Sequence, residues 1–157
     1  MSLRRLTISR RLWRKLVLDL RRRGDNCRES GAFLLARVNS TKITTYVCYD
    51  DLDPNCLDDG IIVFRGGGYV ILWERCLKTQ LKVVADVHTH PGFWTNQSHA
   101  DKTHPMVGLP GHLALIVPNF ARGNSLSLRG VGTHRYLGNH EWKSFPYPRS
   151  QFALTFT

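Results

Sequence analysis

Residues 86–101, DVHTHPGFWTNQSHAD, gather three histidines, two aspartates and a serine into sixteen positions. His88 and His90 are separated by one residue. On a strand, residues i and i+2 point to the same face. The two imidazoles would then stand side by side, as two ligands of a small tetrahedral ion do. Asp101 follows a loop long enough to fold back and add an oxygen. Two histidines, one carboxylate and an open position for water are the donor set of a catalytic zinc site. Each residue also has a plainer use. An H-x-H pair alone is structural or incidental more often than not. Asp101 suits the first turn of a helix, where a carboxylate meets the macrodipole. Ser98 suits an N-cap, since S-x-x-D is a capping-box pattern.

These side chains need a strand and a short helix to hold them. KVVADVHTH reads as the strand, PGFWTNQ as a loop and SHADKTH as the opening of a short helix. HLALIVPN then reads as an apolar, central strand. Upstream, SRRLWRKLVLDLRRRG has Leu12, Trp13, Leu16, Val17 and Leu20 at helical spacing. Ser9 is its expected N-cap and Gly24 its stop. SGAFLLARV and KITTYVCYD predict two strands around a turn at NST. DLDPNCLDDG predicts a polar loop, IIVF a short strand, and RGGG a turn leading into a helix through YVILWERCLKTQ. RGGGY lacks the G-K-[ST] ending of a phosphate loop. SLRGVGTHRYLGN predicts edge strands or a hairpin, and KSFPYPRSQFALTFT shows no clear pattern. Strands mixed with helices, without repeat or linker, predict one α/β domain over residues 1–157.

Composition narrows the classes. With 42% hydrophobic residues the chain can build a core, and no window approaches ~18 apolar residues in a row, so no membrane span is expected. The cysteines at 27, 48, 56 and 76 form no C-x-x-C. That argues against a four-thiolate zinc site and for free thiols in a reducing compartment. The net charge is +10, and residues 4–23 carry nine of the 22 Lys and Arg with one acid, Asp19. Such a start has the composition of a transit peptide. It is not a secretory signal, because Arg14, Lys15 and Asp19 interrupt it.

Three zinc arrangements fail on spacing. H-E-x-x-H is absent, a P-C-x-x-C partner is absent, and a TIM barrel needs ~250 residues. The string His88-x-His90, seven residues, Ser98-x-x-Asp101 resembles the JAMM motif of the JAB/MPN metalloprotease family. That pattern also has a glutamate at the head of a strand after the first helix, where Glu29 stands in CRESGAFLLARV. The resemblance covers about residues 10–137. It implies a mixed, curved β-sheet flanked by helices, with the basic first helix inside the domain and not a transit peptide.

The resemblance further implies Zn2+ on His88, His90 and Asp101. Glu29 would take a proton from the attacking water, and Ser98 would donate to the oxyanion. His99 and His104 are left as solvent-facing or secondary groups. Family members cleave peptide or isopeptide bonds after the tail of a ubiquitin-like protein, and small bacterial ones resemble the deconjugating proteases of antiphage operons. Expected partners are therefore a ubiquitin-like protein or its conjugates, with E1- and E2-like proteins of the same operon, in the cytoplasm. The alternatives are a JAB-type hydrolase acting on a sulfur-carrier protein and a non-catalytic, basic nucleic-acid-associated module. Only the charge supports the latter, and no nucleic-acid motif appears. Phe93 and Trp94, beside the metal ligands, either flank a substrate tail or pack on the domain.

Overall fold

A computed structural model describes residues 4–157. After a short strand β1 (Leu6–Ile8), helix α1 (Arg10–Gly24) starts where the Ser9 hydroxyl accepts the Leu12 N–H at 3.1 Å. It ends at Asp25, which takes the left-handed conformation. Trp13, Leu16, Val17 and Leu20 are at most 2% exposed. Burying each such side chain stabilises by about 1.5–3 kcal/mol, which fixes the helix against the sheet more firmly than its propensity could.

Strands β2 (Gly31–Arg37) and β3 (Lys42–Cys48) form the expected hairpin. A one-turn helix α2 (Tyr49–Leu52) and the longer α3 (Gly66–Thr79) precede β4 (Leu81–Thr89). Then come the short α4 (His99–Thr103), β5 (Leu113–Val117), β6 (Gly132–Gly138), β7 (Glu141–Ser144) and β8 (Leu154–Phe156). They make one mixed eight-stranded sheet in the order β7-β6-β5-β4-β2-β3-β1-β8. β4 and β5 run parallel, and β1 runs parallel to β3 and β8. Register shifts between Leu34 and Leu35 and between Leu35 and Ala36 interrupt the pairing of β2, and such bulges bend a strand. One face packs on α1 around Leu34, Val87 and Leu115; the other packs on α2 and α3 around Phe33, Tyr49 and Leu72. No helix among the described residues is long and apolar enough to cross a membrane.

Two expectations change. IIVF is not a strand: Val63 N–H bonds to Cys56 O outside any ladder, and Phe64 turns into an aromatic cluster with Phe33, Tyr49 and Tyr69. The RGGG glycines are the first turn of α3 and not a separate turn. A Cβ on Gly68 would lie 2.6 Å from Phe64 Cζ, so any larger residue there would have to push that ring out of the cluster. β1 and β8, which the sequence pattern did not show, close one end of the sheet.

Candidate metal centre

Strand alternation puts Asp86 and His88 on one face of β4, and His90 continues that row one residue past the strand. β4 is interior. His88 pairs with Gly31 on one side and Ile116 on the other. A Cβ on Gly31 would sit 2.2 Å from the Tyr49 ring and 2.7 Å from Val87 O, so only glycine fits beside His88. His90 is held by its backbone: its N–H donates to Val117 O, and its carbonyl accepts from Phe120 N–H. That last bond needs a turn at Asn119, Phe120 and Ala121, all with positive φ. Left-handed L-residues cost roughly 1–2 kcal/mol each, and such conformations persist only where the surroundings force them.

Asp101 arrives from the other side on α4. Ser98 caps this helix reciprocally: its Oγ accepts Asp101 N–H at 3.1 Å, while Asp101 Oδ2 accepts Ser98 N–H at 2.8 Å. The capping reading of these residues is thus realised, and the same geometry leaves Asp101 Oδ1 free of the cap. The cap uses a lone pair of Ser98 Oγ and leaves its proton free to donate.

His88 Nε2 and His90 Nε2 lie 3.1 Å apart, and each is 3.4 Å from an Asp101 oxygen. His88 meets Asp101 Oδ1 and His90 meets Asp101 Oδ2, and one donor atom from each residue lies within 4.8 Å of the others, close enough to share one metal ion. The tautomer fits as well. His90 Nδ1 lies 3.0 Å from Trp94 O and donates to it, which leaves the Nε2 lone pair facing the other ligands. Among the described residues, His88, His90 and Asp101 form the cluster able to hold a metal. Burial pushes the Asp101 carboxyl up, but hydrogen bonds from both histidines and from the Ser98 backbone hold it well below the usual range. Burial pushes His88 down, and Asp101, together with the charges of Asp86 and Glu29, more than reverses that.

Glu29 is half-buried and sits at the head of β2. Its N–H donates to Gly60 O, and neighbouring Ser30 bonds to Thr89 and Leu20. With His88, Ser98 and Asp101 it lines one cavity of about 400 Å³. Burial raises its carboxyl pKa, against the opposing pull of His88 and His90. His99 is exposed, and His104 lines the cavity without joining the ligands. Trp94 stacks on the His90 ring at 4.6 Å while remaining 49% exposed, and Phe93 is 86% exposed.

No family model matches the chain. Protein DSY2949 of Desulfitobacterium hafniense superposes with a TM-score of 0.64 at 13% identity, over 97% of this chain and 92% of that one. AF2198, a JAB1/MPN domain protein of Archaeoglobus fulgidus, does so with a TM-score of 0.51 at 15% identity, over 96% and 98%. The chain has a JAB/MPN-like fold. A Salinibacter ruber protein is also similar, with a TM-score of 0.52 at 14% identity over 91% and 93%.

Within this JAB/MPN-like frame the structure adds residues that sequence reading missed. Asp86, on the cavity wall, accepts hydrogen bonds from His112 Nε2 at 2.6 Å and from Tyr49 OH at 3.2 Å. Its i−2 spacing from His88 was a usable signal; the positions of His112 and Tyr49 depend on pairing across the sheet. His134, buried on β6, lies 2.9 Å from Thr95 O and 2.8 Å from Ser144 Oγ. It donates to the first and accepts from the second, and burial lowers its pKa, favouring this neutral form. Nearby Gly132 would place a Cβ 2.3 Å from Thr95 O. Together they clamp the loop that carries Trp94 O and Ser98.

Proposed function

We propose that this protein is a zinc-dependent hydrolase that cleaves the amide bond following the C-terminal tail of a ubiquitin-like protein, in a conjugate or a precursor. The observation that carries this reading is the meeting of His88, His90 and Asp101 in one cluster able to hold a metal, with His88 and Asp101 lining the same cavity as Glu29 and Ser98, on a JAB/MPN-like fold. His88, His90 and Asp101 would hold the ion. When bound, zinc lowers the pKa of water towards ~7 and polarises a carbonyl. Glu29 accepts the proton of the attacking water and returns one to the departing amine. Its raised pKa suits both halves of that task. Ser98 Oγ–H donates to the carbonyl oxygen as negative charge grows there. Phe93 offers an exposed aromatic surface beside the site for an extended tail. Exposed Arg11, Arg14 and Lys15 on α1 offer a basic face to an acidic partner, and the four free thiols suit the reducing cytoplasm.

Elemental analysis should find about one zinc per chain, as one three-ligand site requires. A ubiquitin-like fusion with a Gly-Gly junction, taken from the same operon, should be cut by the zinc-loaded protein and spared after chelation. Zinc-loaded protein that cuts neither a lysine-linked conjugate nor a linear fusion would refute the reading.

A further inference from the structure

At the end of β4 away from the metal centre, the sheet has a notch. Pairing of β4 with β5 begins at Ala85 and Leu113. Leu81, Lys82 and Val83 are paired with β2 on the other side, so their β5 side is open. A cavity of about 330 Å³ fills this notch. Val83 lies five residues before His88, roughly 16 Å at ~3.3 Å per residue, and this cavity shares no lining residue with the one at the metal centre.

Its polar lining is one-sided. Arg4, Lys82 and Arg135 contribute three cations, Ser40 and Thr41 contribute hydroxyls, His112 lines it while its Nε2 is taken up by Asp86 behind it, and no acid lines it. None of the three cations joins an ion pair among the described residues. Arg135 is 4% exposed, and its Nε has no hydrogen-bond partner. Its closest compensation is the Phe145 ring, 5.2 Å away. Other arginines here are provided for: Arg23 meets Asp19, Asp50 and Asp51, and Arg21 donates to two carbonyls. A buried guanidinium without a counter-charge is costly. The remaining lining is largely apolar, with Leu6, Val84 and Val107 among it.

We propose that this notch is a binding site for a small phosphomonoester with an apolar body, its phosphate meeting Arg135, Lys82 and Arg4. A phosphate carries about −1.5 to −2 charges near neutrality and so matches three cations better than a carboxylate does. The planar guanidinium fork pairs with two of its oxygens. Burial alone depresses the Arg135 pKa, as it does for a cation lacking its anion. This site is independent of the chemistry proposed at the metal centre.

The test uses zinc-loaded, 15N-labelled protein at a constant ionic strength of ~0.15 M, titrated separately with phenyl phosphate, inorganic phosphate, benzoate and phenol. Phenyl phosphate should saturate and shift the amides of Lys82, Val83, His112 and Arg135 while leaving those of His88 and His90 in place. It should bind more tightly than inorganic phosphate and at least ~10-fold more tightly than benzoate or phenol. Lys82→Ala and Arg135→Met should each weaken it by ~10-fold or more, the loss of one charge-assisted hydrogen bond. Without ligand, Arg135→Met should melt no lower than wild type, because it removes an unpaired buried charge. Any of three results overturns the proposal: a Kd weaker than about 10 mM, shifts confined to His88, His90 and Asp101, or equal affinity in wild type and the half-exposed Lys82→Ala variant.

Discussion

Ser98 has two tasks in this geometry, and two substitutions separate them. Its Oγ accepts Asp101 N–H at 3.1 Å, so Ser98→Ala removes the N-cap of a five-residue helix whose third residue is a proposed ligand. Replacing a serine N-cap by alanine costs about 1 kcal/mol, whereas glycine costs only a few tenths. Loss of an oxyanion donor costs on the order of 10²–10³ in kcat, whichever residue replaces it. Ser98→Ala and Ser98→Gly should therefore lose similar amounts of kcat while differing in melting temperature, with Ala the less stable. Stopped-assay kcat on a ubiquitin-like fusion, zinc content and Tm should be measured on both variants. If Ser98→Gly turns over near the wild-type rate while Ser98→Ala is slow, the hydroxyl only caps α4, and its donor role is wrong.

Glu29→Gln should retain zinc and fold, bind substrate, and lose ~10²–10⁴ in kcat; near wild-type turnover would exclude Glu29 as the base. His134→Phe keeps a ring there but frees Thr95 O, and should weaken zinc binding by loosening the loop that carries Trp94 O, the partner of His90 Nδ1. Chelator competition reads this, and unchanged affinity would reduce His134 to packing. In metal-free protein, Asp101 is lowered from its ordinary 3.8, so its contribution to stability is present above that pH and lost as pH falls through the folded value. His88 is raised from 6.5, so its contribution is present below 6.5 and lost as pH rises through its higher folded value. Metal-free protein should thus gain most from this pair between about pH 4 and 6.5; a Tm that climbs steadily from pH 6 to 9 would contradict the pairing.

The site was more legible than the fold around it, for a physical reason. His88, His90, Ser98 and Asp101 lie within fourteen residues, and strand alternation plus a capping pattern fix their relative directions locally. Helix α1 was equally readable, because its buried stripe repeats at helical spacing. IIVF misled because a short apolar run fits both a strand and an irregular segment wedged among aromatics. β1 and β8 were missed because each is three residues long and exists only through pairing across almost the whole chain, Leu6 with Leu154. His134, Gly132 and His112 could not be found for the same reason: their partners Thr95 and Asp86 are distant in sequence, and only the order of strands brings them together.

That difference bears on how the centre stays formed. His88 Nε2 and His90 Nε2 lie 3.1 Å apart, and each meets a different oxygen of Asp101 at 3.4 Å; freely rotating side chains would relax out of this arrangement. Here the relaxation is blocked from three directions. The Phe120 turn holds the His90 backbone, the Ser98 cap holds Asp101, and β6 holds the loop between them through Thr95. Several of these constraints carry a local cost: three residues with positive φ, and glycines at 31 and 132 where a methyl would collide. Such costs persist only where the rest of the fold offsets them, and the large buried side chains under α1 and α3 are what is available to do so. The three side chains of the candidate centre are therefore positioned by the sheet and the segments packed on it. Metal affinity should accordingly respond to changes in β6 and the 119–121 turn that touch no ligand at all.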